Sequence, residues 1–325
     1  MNKTFMFDRE VRPGSAWCDR FVAGRGEAAR WYQGQGRGAP PSAADCRRAL
    51  AMHMPELLAE YDRVCDLVGD DAEAHRILSH YRPPPVAAGC SQAVWLGDGG
   101  PALVRNYDYA LEIVTGRIES TSWFGNEVIA TVQRPWGGCL DGMNEDGLVA
   151  SLTYGGRDAN GLGFAVILIL RYVLETCRTV DQAVAALCRL PIAMAHNVTV
   201  LDRSGAYATL FLGPDRAPLV TDRRACANHQ DGPGAGADSQ MRENAMLAAL
   251  DDPATTLDTL VERFLRPPLY SRRRRSTTAY TAVYRPAHGD VDHLWPGARR
   301  RQHMGAFVPT VYEHDYGALT DDAAG

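Results

Sequence analysis

Apolar residues recur at three- and four-residue spacing through residues 42–68, at Leu50, Leu57, Leu58, Tyr61, Val64 and Leu67, which predicts an amphipathic helix. Asp70-Asp71 interrupts that pattern, and residues 72–80 predict a further short helix. The run Pro83-Pro84-Pro85 cannot continue a helix and favours a stiff, extended chain, so it marks the domain boundary. Beyond it the pattern changes to short alternating runs. Residues 90–96 and 102–109, joined by Gly97-Asp98-Gly99-Gly100, predict a hairpin. Residues 127–133 and 148–154 predict further strands. Residues 163–177 form a mostly apolar helix, broad enough to lie between layers. Thr179 and Gln182 form a capping box for a second helix that ends before Pro191. A second hairpin spans 197–202 and 206–212, a Gly-rich surface loop spans 232–238, and 241–250 and 256–264 read as helical. Residues 278–284 and 291–295 predict a closing strand pair. Strands on both sides of central helices imply a layered α+β fold.

The composition is that of a soluble globular protein: 325 residues, 46% hydrophobic and 22% charged, which allows one large domain or two smaller ones. A net charge of -5 argues against a nucleic-acid or anionic-membrane partner. Of the 34 basic side chains only Lys3 is lysine, and it sits at a terminus. Schiff-base, P-loop and kinase-type lysine chemistries each need an ammonium fixed inside a site, so all three are excluded. The N-terminal residues lack an apolar signal region, and the longest apolar run, 164–170, is too short to span a bilayer. The eight cysteines are scattered and read as reduced thiols of a cytoplasmic protein. Without CxxC, HxxxH or HxE spacing, neither a metal site nor a cofactor is expected.

Candidate chemistry begins at Gly89-Cys90, where the proline-rich stretch meets a strand. Cys90 reads either as a small buried hydrophobe or as a residue whose α-amino group is freed by backbone cleavage. In the second case one residue supplies both nucleophile and general base. The same order continues with Arg105-Asn106-Tyr107-Asp108, Asp141-Gly142-Met143-Asn144-Glu145 with Gly147-Leu148, Ala227-Asn228-His229, and Arg275 ahead of a strand. Together these motifs, spanning roughly residues 89–295, resemble the N-terminal-nucleophile (Ntn) hydrolases of the isopenicillin N acyltransferase and choloylglycine hydrolase type.

That resemblance implies a four-layer αββα sandwich, with residues 1–89 a helical leader and 90–325 the catalytic domain. It implies self-cleavage of the Gly89–Cys90 bond into an 89-residue and a 236-residue chain that stay associated as a heterodimer; the sequence leaves any higher oligomer open. Cys90 becomes the nucleophile, Asp108 orients its new amino group, and Arg105 favours the thiolate. Asn228 and a backbone N–H near Thr153–Tyr154 hold the oxyanion, with Asn197 the rival of Asn228. Arg275 matches a family arginine near the thiol, although four successive arginines at 272–275 blur that register by one. The implied activity is transfer or hydrolysis of an acyl group from a small amide or thioester through acyl-Cys90, with secondary metabolism as the setting. Two alternatives stay open: a non-catalytic binding protein of the same fold, and a papain-like pairing of a cysteine with His229. The Arg272–Arg275 run reads as a solvated face.

Overall fold

The chain opens with a strand, β1 (Asn2–Arg9), whose alternation buries Phe5 and Phe7 and turns Thr4 and Met6 outward. The structure is a computed structural model that describes residues 1–33, 40–84, 89–133, 137–230 and 236–321. Pro85 and residues 232–235 of the glycine-rich loop lie outside the described residues. After β1 come α1 (Ser15–Gln33), α2 (Ala43–His53), α3 (Leu58–Val68) and α4 (Ala72–Leu78). Then follow β2 (Gly89–Trp95), β3 (Ala102–Tyr109), β4 (Arg117–Thr121), β5 (Val128–Gln133), β6 (Gly138–Asn144) and β7 (Val149–Tyr154). Two helices, α5 (Val166–Thr176) and α6 (Val180–Arg189), precede β8 (His196–Leu201), β9 (Tyr207–Leu212), β10 (Leu219–Thr221) and β11 (Ala225–Cys226). The chain continues through α7 (Ala237–Asp251), α8 (Leu257–Phe264), β12 (Thr277–Arg285), β13 (Asp290–Trp295), β14 (Ala298–His303) and β15 (Thr310–Asp315).

The strands form two sheets. One has nine strands in the order β10-β9-β8-β7-β6-β5-β4-β1-β15, and the other six in the order β11-β2-β3-β12-β13-β14. Helices α5 and α6 pack against the first sheet, α7 and α8 against the second, and β2 meets β7 where the sheets face each other. This is the α+β arrangement expected. Between the sheets, Phe5 packs on Trp295 with ring centroids 4.7 Å apart, and Phe7 on His293 at 5.5 Å.

The leader departs from the wholly helical expectation, because β1 lies inside the nine-stranded sheet, antiparallel to β15 and parallel to β4. Its two short alternating positions carry too weak a pattern to read alone. The single helix expected over 42–68 is two helices, broken where Pro55, lacking an N–H, starts a short turn after Met54. At α6, Thr179 caps Gln182 N–H, but the Gln182 side chain reaches Arg178 N–H, so the cap is one-sided. The strands do not end at residue 295. β14 (Ala-Arg-Arg-Arg-Gln-His) buries only Gln302 and so offers no apolar alternation to detect. Residues 141–144 of the Asp-Gly-Met-Asn-Glu motif lie in β6.

Candidate active site

The hairpin β2–β3 builds the site. Gly99 and Gly100, both at positive φ (84° and 86°), turn the chain, and the register then sets Gly89 opposite Asp108, Cys90 opposite Tyr107, and Gln92 opposite Arg105. Alternation sends Cys90, Gln92 and Arg105 to the face toward the nine-stranded sheet, and Asn106 and Asp108 to the face toward α7 and α8. Hydrogen bonds agree with that division. Gln92 Nε2 donates to Thr199 and its carbonyl accepts from Ser151, while Asn106 Nδ2 donates to the carbonyls of Phe264 and Leu269.

Cys90 is fully buried, and Arg105 Nη2 lies 3.1 Å from its sulfur. Burial pushes the thiol's pKa up, and the Arg105 guanidinium pulls it back down. Arg105 is itself fully buried. Its Nη1 donates to Leu140 O (2.9 Å) and Ser151 Oγ (3.3 Å) and lies 3.3 Å from Asp141 Oδ1. Asp141 in turn accepts from the hydroxyls of Tyr280 (2.8 Å) and Tyr284 (2.7 Å). The buried cation is thus matched by a buried carboxylate that itself accepts two hydroxyl hydrogen bonds, which offsets part of the cost of burying the pair.

On the opposite face the Asp108 carboxylate is held by Thr278 Oγ1 at 2.6 Å and by an ion pair with Arg242 of α7. Arg242 Nε also lies 3.2 Å from Asp238. Arg242 neutralises the Asp108 charge locally. Arg242 was not legible in the sequence, since only the packing of α7 on β2 and β11 brings it there. Asp141 belongs to a motif that was visible, but its role behind Arg105 was not.

The Cys90 N–H donates to Asn228 Oδ1 at 2.8 Å. A methyl built on Gly89 would lie 3.7 Å from Asn228 Nδ2 and 3.5 Å from Asp108 Cβ, so the residue before Cys90 sits between these two side chains. Gly156, at φ 70°, packs so closely on the Asn228 carbonyl that a methyl there would come within 2.5 Å of it. The turn that leaves β7 after Thr153–Tyr154 therefore lies directly against Asn228. Asn197 is fully buried, and its Nδ2 faces Thr153 Oγ1 (3.1 Å) and the carbonyls of Ala227 (3.1 Å), His229 (3.0 Å) and Tyr154 (3.3 Å). Its donors clamp β7 to the 227–229 segment. Thr153 Oγ1 donates to Ala227 O at 2.6 Å, which leaves only its main chain for other work.

Arg275 and the alternative partner His229 make no hydrogen bond to the thiol among the described residues. Arg275 is exposed in the turn Arg274–Ser276 ahead of β12; the arginine on the thiol is Arg105, and the one on Asp108 is Arg242. His229 binds Ser239 Oγ through Nδ1 (2.7 Å) and Glu243 through Nε2 (2.8 Å), so α7 occupies both ring nitrogens and no Cys-His pair forms.

Beside the site lies an apolar cavity of about 290 Å³. Its walls include Tyr107, the sheet partner of Cys90; Leu140, whose carbonyl holds Arg105; and Leu152, next to Thr153. Among the described residues no group of His, Cys, Asp and Glu is arranged to hold a metal ion, and no helix is long and apolar enough to cross a membrane.

Residues 95–300 match the family described as acyl-coenzyme A:6-aminopenicillanic acid acyl-transferase. No curated protein matches the chain significantly. Among solved structures, a single-residue variant of conjugated bile acid hydrolase from Clostridium perfringens is similar at 12% identity and a TM-score of 0.49, covering 73% of this chain and 100% of that one. The Caenorhabditis elegans ortholog of N-acylethanolamine-hydrolyzing acid amidase is similar at 16% identity and 0.47, over 61% and 93%. Penicillin V acylase from Agrobacterium tumefaciens is similar at 17% and 0.45, over 71% and 94%.

Proposed function

We propose, from the premise that this chain belongs to the acyl-coenzyme A:6-aminopenicillanic acid acyl-transferase family, that it is a self-processing cysteine enzyme of the Ntn type that moves acyl groups through Cys90. The observation that carries the reading is the double environment of that one residue. Its sulfur lies 3.1 Å from a buried guanidinium, and its nitrogen lies 2.8 Å from Asn228 Oδ1.

In the first step Cys90 sulfur attacks the Gly89 carbonyl carbon. The C–N bond breaks, the nitrogen takes the thiol proton, and a thioester links Gly89 to sulfur. Water then cleaves the thioester, giving a Gly89 carboxylate and a free Cys90 with an α-amino group. In turnover that amine takes the thiol proton as sulfur attacks the substrate carbonyl, and passes it to the leaving nitrogen or thiol. The acyl-thioester next yields its acyl group to water or to an amine, whose proton returns to the sulfur through the α-amino group.

Asn228 Nδ2 and a main-chain N–H at Thr153–Tyr154 are the proposed oxyanion donors, supported by the packing of the Gly155–Gly156 turn on Asn228. Arg105 stabilises the thiolate, and Asp108, neutralised by Arg242, orients the amine without holding it protonated. The apolar cavity beside Tyr107 is the proposed acyl pocket, so the donors favoured are small amides or thioesters of apolar acids. The leader remains bound after cleavage, because β1 lies between β4 and β15 of the large fragment.

Denaturing mass analysis tests this reading. The wild type is expected as two fragments divided at Gly89–Cys90 and as a single peak in native gel filtration, while Cys90→Ala stays whole. An intact wild-type chain would refute self-processing and favour a binding role for the fold.

A further inference from the structure

The apolar cavity does not end in the catalytic part of the chain. Ala28 and Glu27 of α1, together with Gln133, line it and also line a second cavity of about 410 Å³. The second cavity runs under α1, between Trp17, Phe21 and Gly24 on the helix and Thr115 with Arg117 and Glu119 of β4 opposite. Residues 17, 21, 24 and 28 recur at helical spacing, so one stripe of α1 forms the roof throughout. Gly24 and Ala28 are its small positions. The lining changes character at the shared boundary. On the Cys90 side stand Ile113, Phe164, Val166 and Met194; beyond Ala28 stand Arg20, Arg117 and Glu119, paired with one another and with Asp8 and Glu10.

We propose that the leader is a specificity element: Ala28, with Glu27 beside it, marks the boundary where the acyl pocket meets the second cavity and sets the longest apolar acyl chain accepted. This rests on the reading of Cys90 as the acyl carrier. An unbranched chain that stops before Ala28 buries its whole length against apolar walls. One that passes it enters a cavity where Arg20, Arg117 and Glu119 stand beside Trp17 and Phe21, and an apolar terminus there displaces hydration from the charged pairs without a compensating hydrogen bond. Small residues in the roof leave the passage open. A larger side chain at 28 would fill the end of the first cavity, and an apolar residue at 27 would extend the apolar wall past it.

The test uses the full-length, self-processed protein and a series of 4-nitroanilides of unbranched acids from acetyl to dodecanoyl. Ala28→Phe is expected to lower the kcat/KM ratio of the longest to the shortest good substrates by about tenfold or more, the scale of one or two buried methylenes. Glu27→Leu is expected to move the same ratio the other way. Val22→Phe, on the exposed side of α1 and in neither lining, is the control and should leave the ratio as in the wild type. A general loss of folding would lower all substrates together and could not move the ratio in opposite directions. An unchanged ratio in both variants, with acyl-Cys90 trapped by mass analysis, would overturn the proposal and leave the acyl-Cys90 reading standing. If no acyl adduct forms at Cys90 with any member even in the wild type, the reading itself falls and this proposal with it.

Discussion

At the scale of single residues, the thiol of Cys90 is balanced between burial, which opposes its ionisation, and Arg105, which favours it. Arg105 can sit in that buried place because Asp141 faces it and two tyrosine hydroxyls complete the carboxylate's hydrogen bonds. Removing the guanidinium takes away the largest downward push on the thiol. Arg105→Gln is therefore expected to shift the pH–rate profile of self-cleavage to higher pH and to slow cleavage near neutrality. The loss is about tenfold for each unit by which the thiol pKa rises. Gel densitometry over a pH series checks this, with circular dichroism to confirm the fold; an unshifted profile would remove Arg105 from thiol activation. The resemblance to the Ntn hydrolases grouped Cys90, Arg105, Asp108 and Asn228, and the hairpin register sets residues 90 and 105 on one side and 108 on the other. Arg275 lies in a run of four arginines that carries no register, and Arg242 lies on a helix whose approach no local pattern encodes.

At the scale of elements, β1 is the part of the leader that matters most to the rest of the chain. It joins β15 to the remainder of the nine-stranded sheet and sends Phe5 and Phe7 between the sheets. Phe5→Ala is expected to destabilise the protein by about 3–5 kcal/mol, the usual cost of emptying a buried phenylalanine site. Urea unfolding measures this, and Met6→Ala, at an outward position of the same strand, supplies the comparison. A loss below about 1 kcal/mol would mean that the site collapses around the smaller side chain. The hairpins at 90–109 and 197–212 and the apolar helix α5 were legible because local periodicity and turn glycines specify them. β1 and β15 were not, since they pair with strands far away in sequence, and β14 was not because it buries only Gln302 and shows no apolar alternation.

At the scale of the molecule, the two sheets enclose titratable groups as well as apolar ones. His196 and His293 are buried, and burial pushes both down to about 4 from an ordinary value of 6.5. A folded-state pKa below the unfolded one means that the unfolded chain gains these protons first as pH falls. The stability is fully present above about pH 6.5 and is lost between there and about pH 4, by about 1.4 kcal/mol per pH unit for each group. The urea midpoint is expected to fall steeply across that window, and His196→Gln with His293→Gln should flatten the fall. An equally steep fall in the double variant would assign the acid sensitivity to carboxylates instead.

The sequence by itself determined which residues could share chemistry. The Gly-Cys junction, the Arg-Asn-Tyr-Asp strand and the Ala-Asn-His segment are local features, and a period-two strand carries its side-chain directions with it. It also limited side-chain amines to Lys3. Tertiary structure decided what surrounds those groups. It set Arg242 on Asp108 and Asp141 behind Arg105, and it turned Asn197 into a clamp and His229 toward α7. It also inserted the leader strand into the catalytic sheet. Each of these depends on contacts between segments distant in sequence, whose pairing is chosen by burial and charge compensation across the whole fold rather than by the pattern of any one stretch.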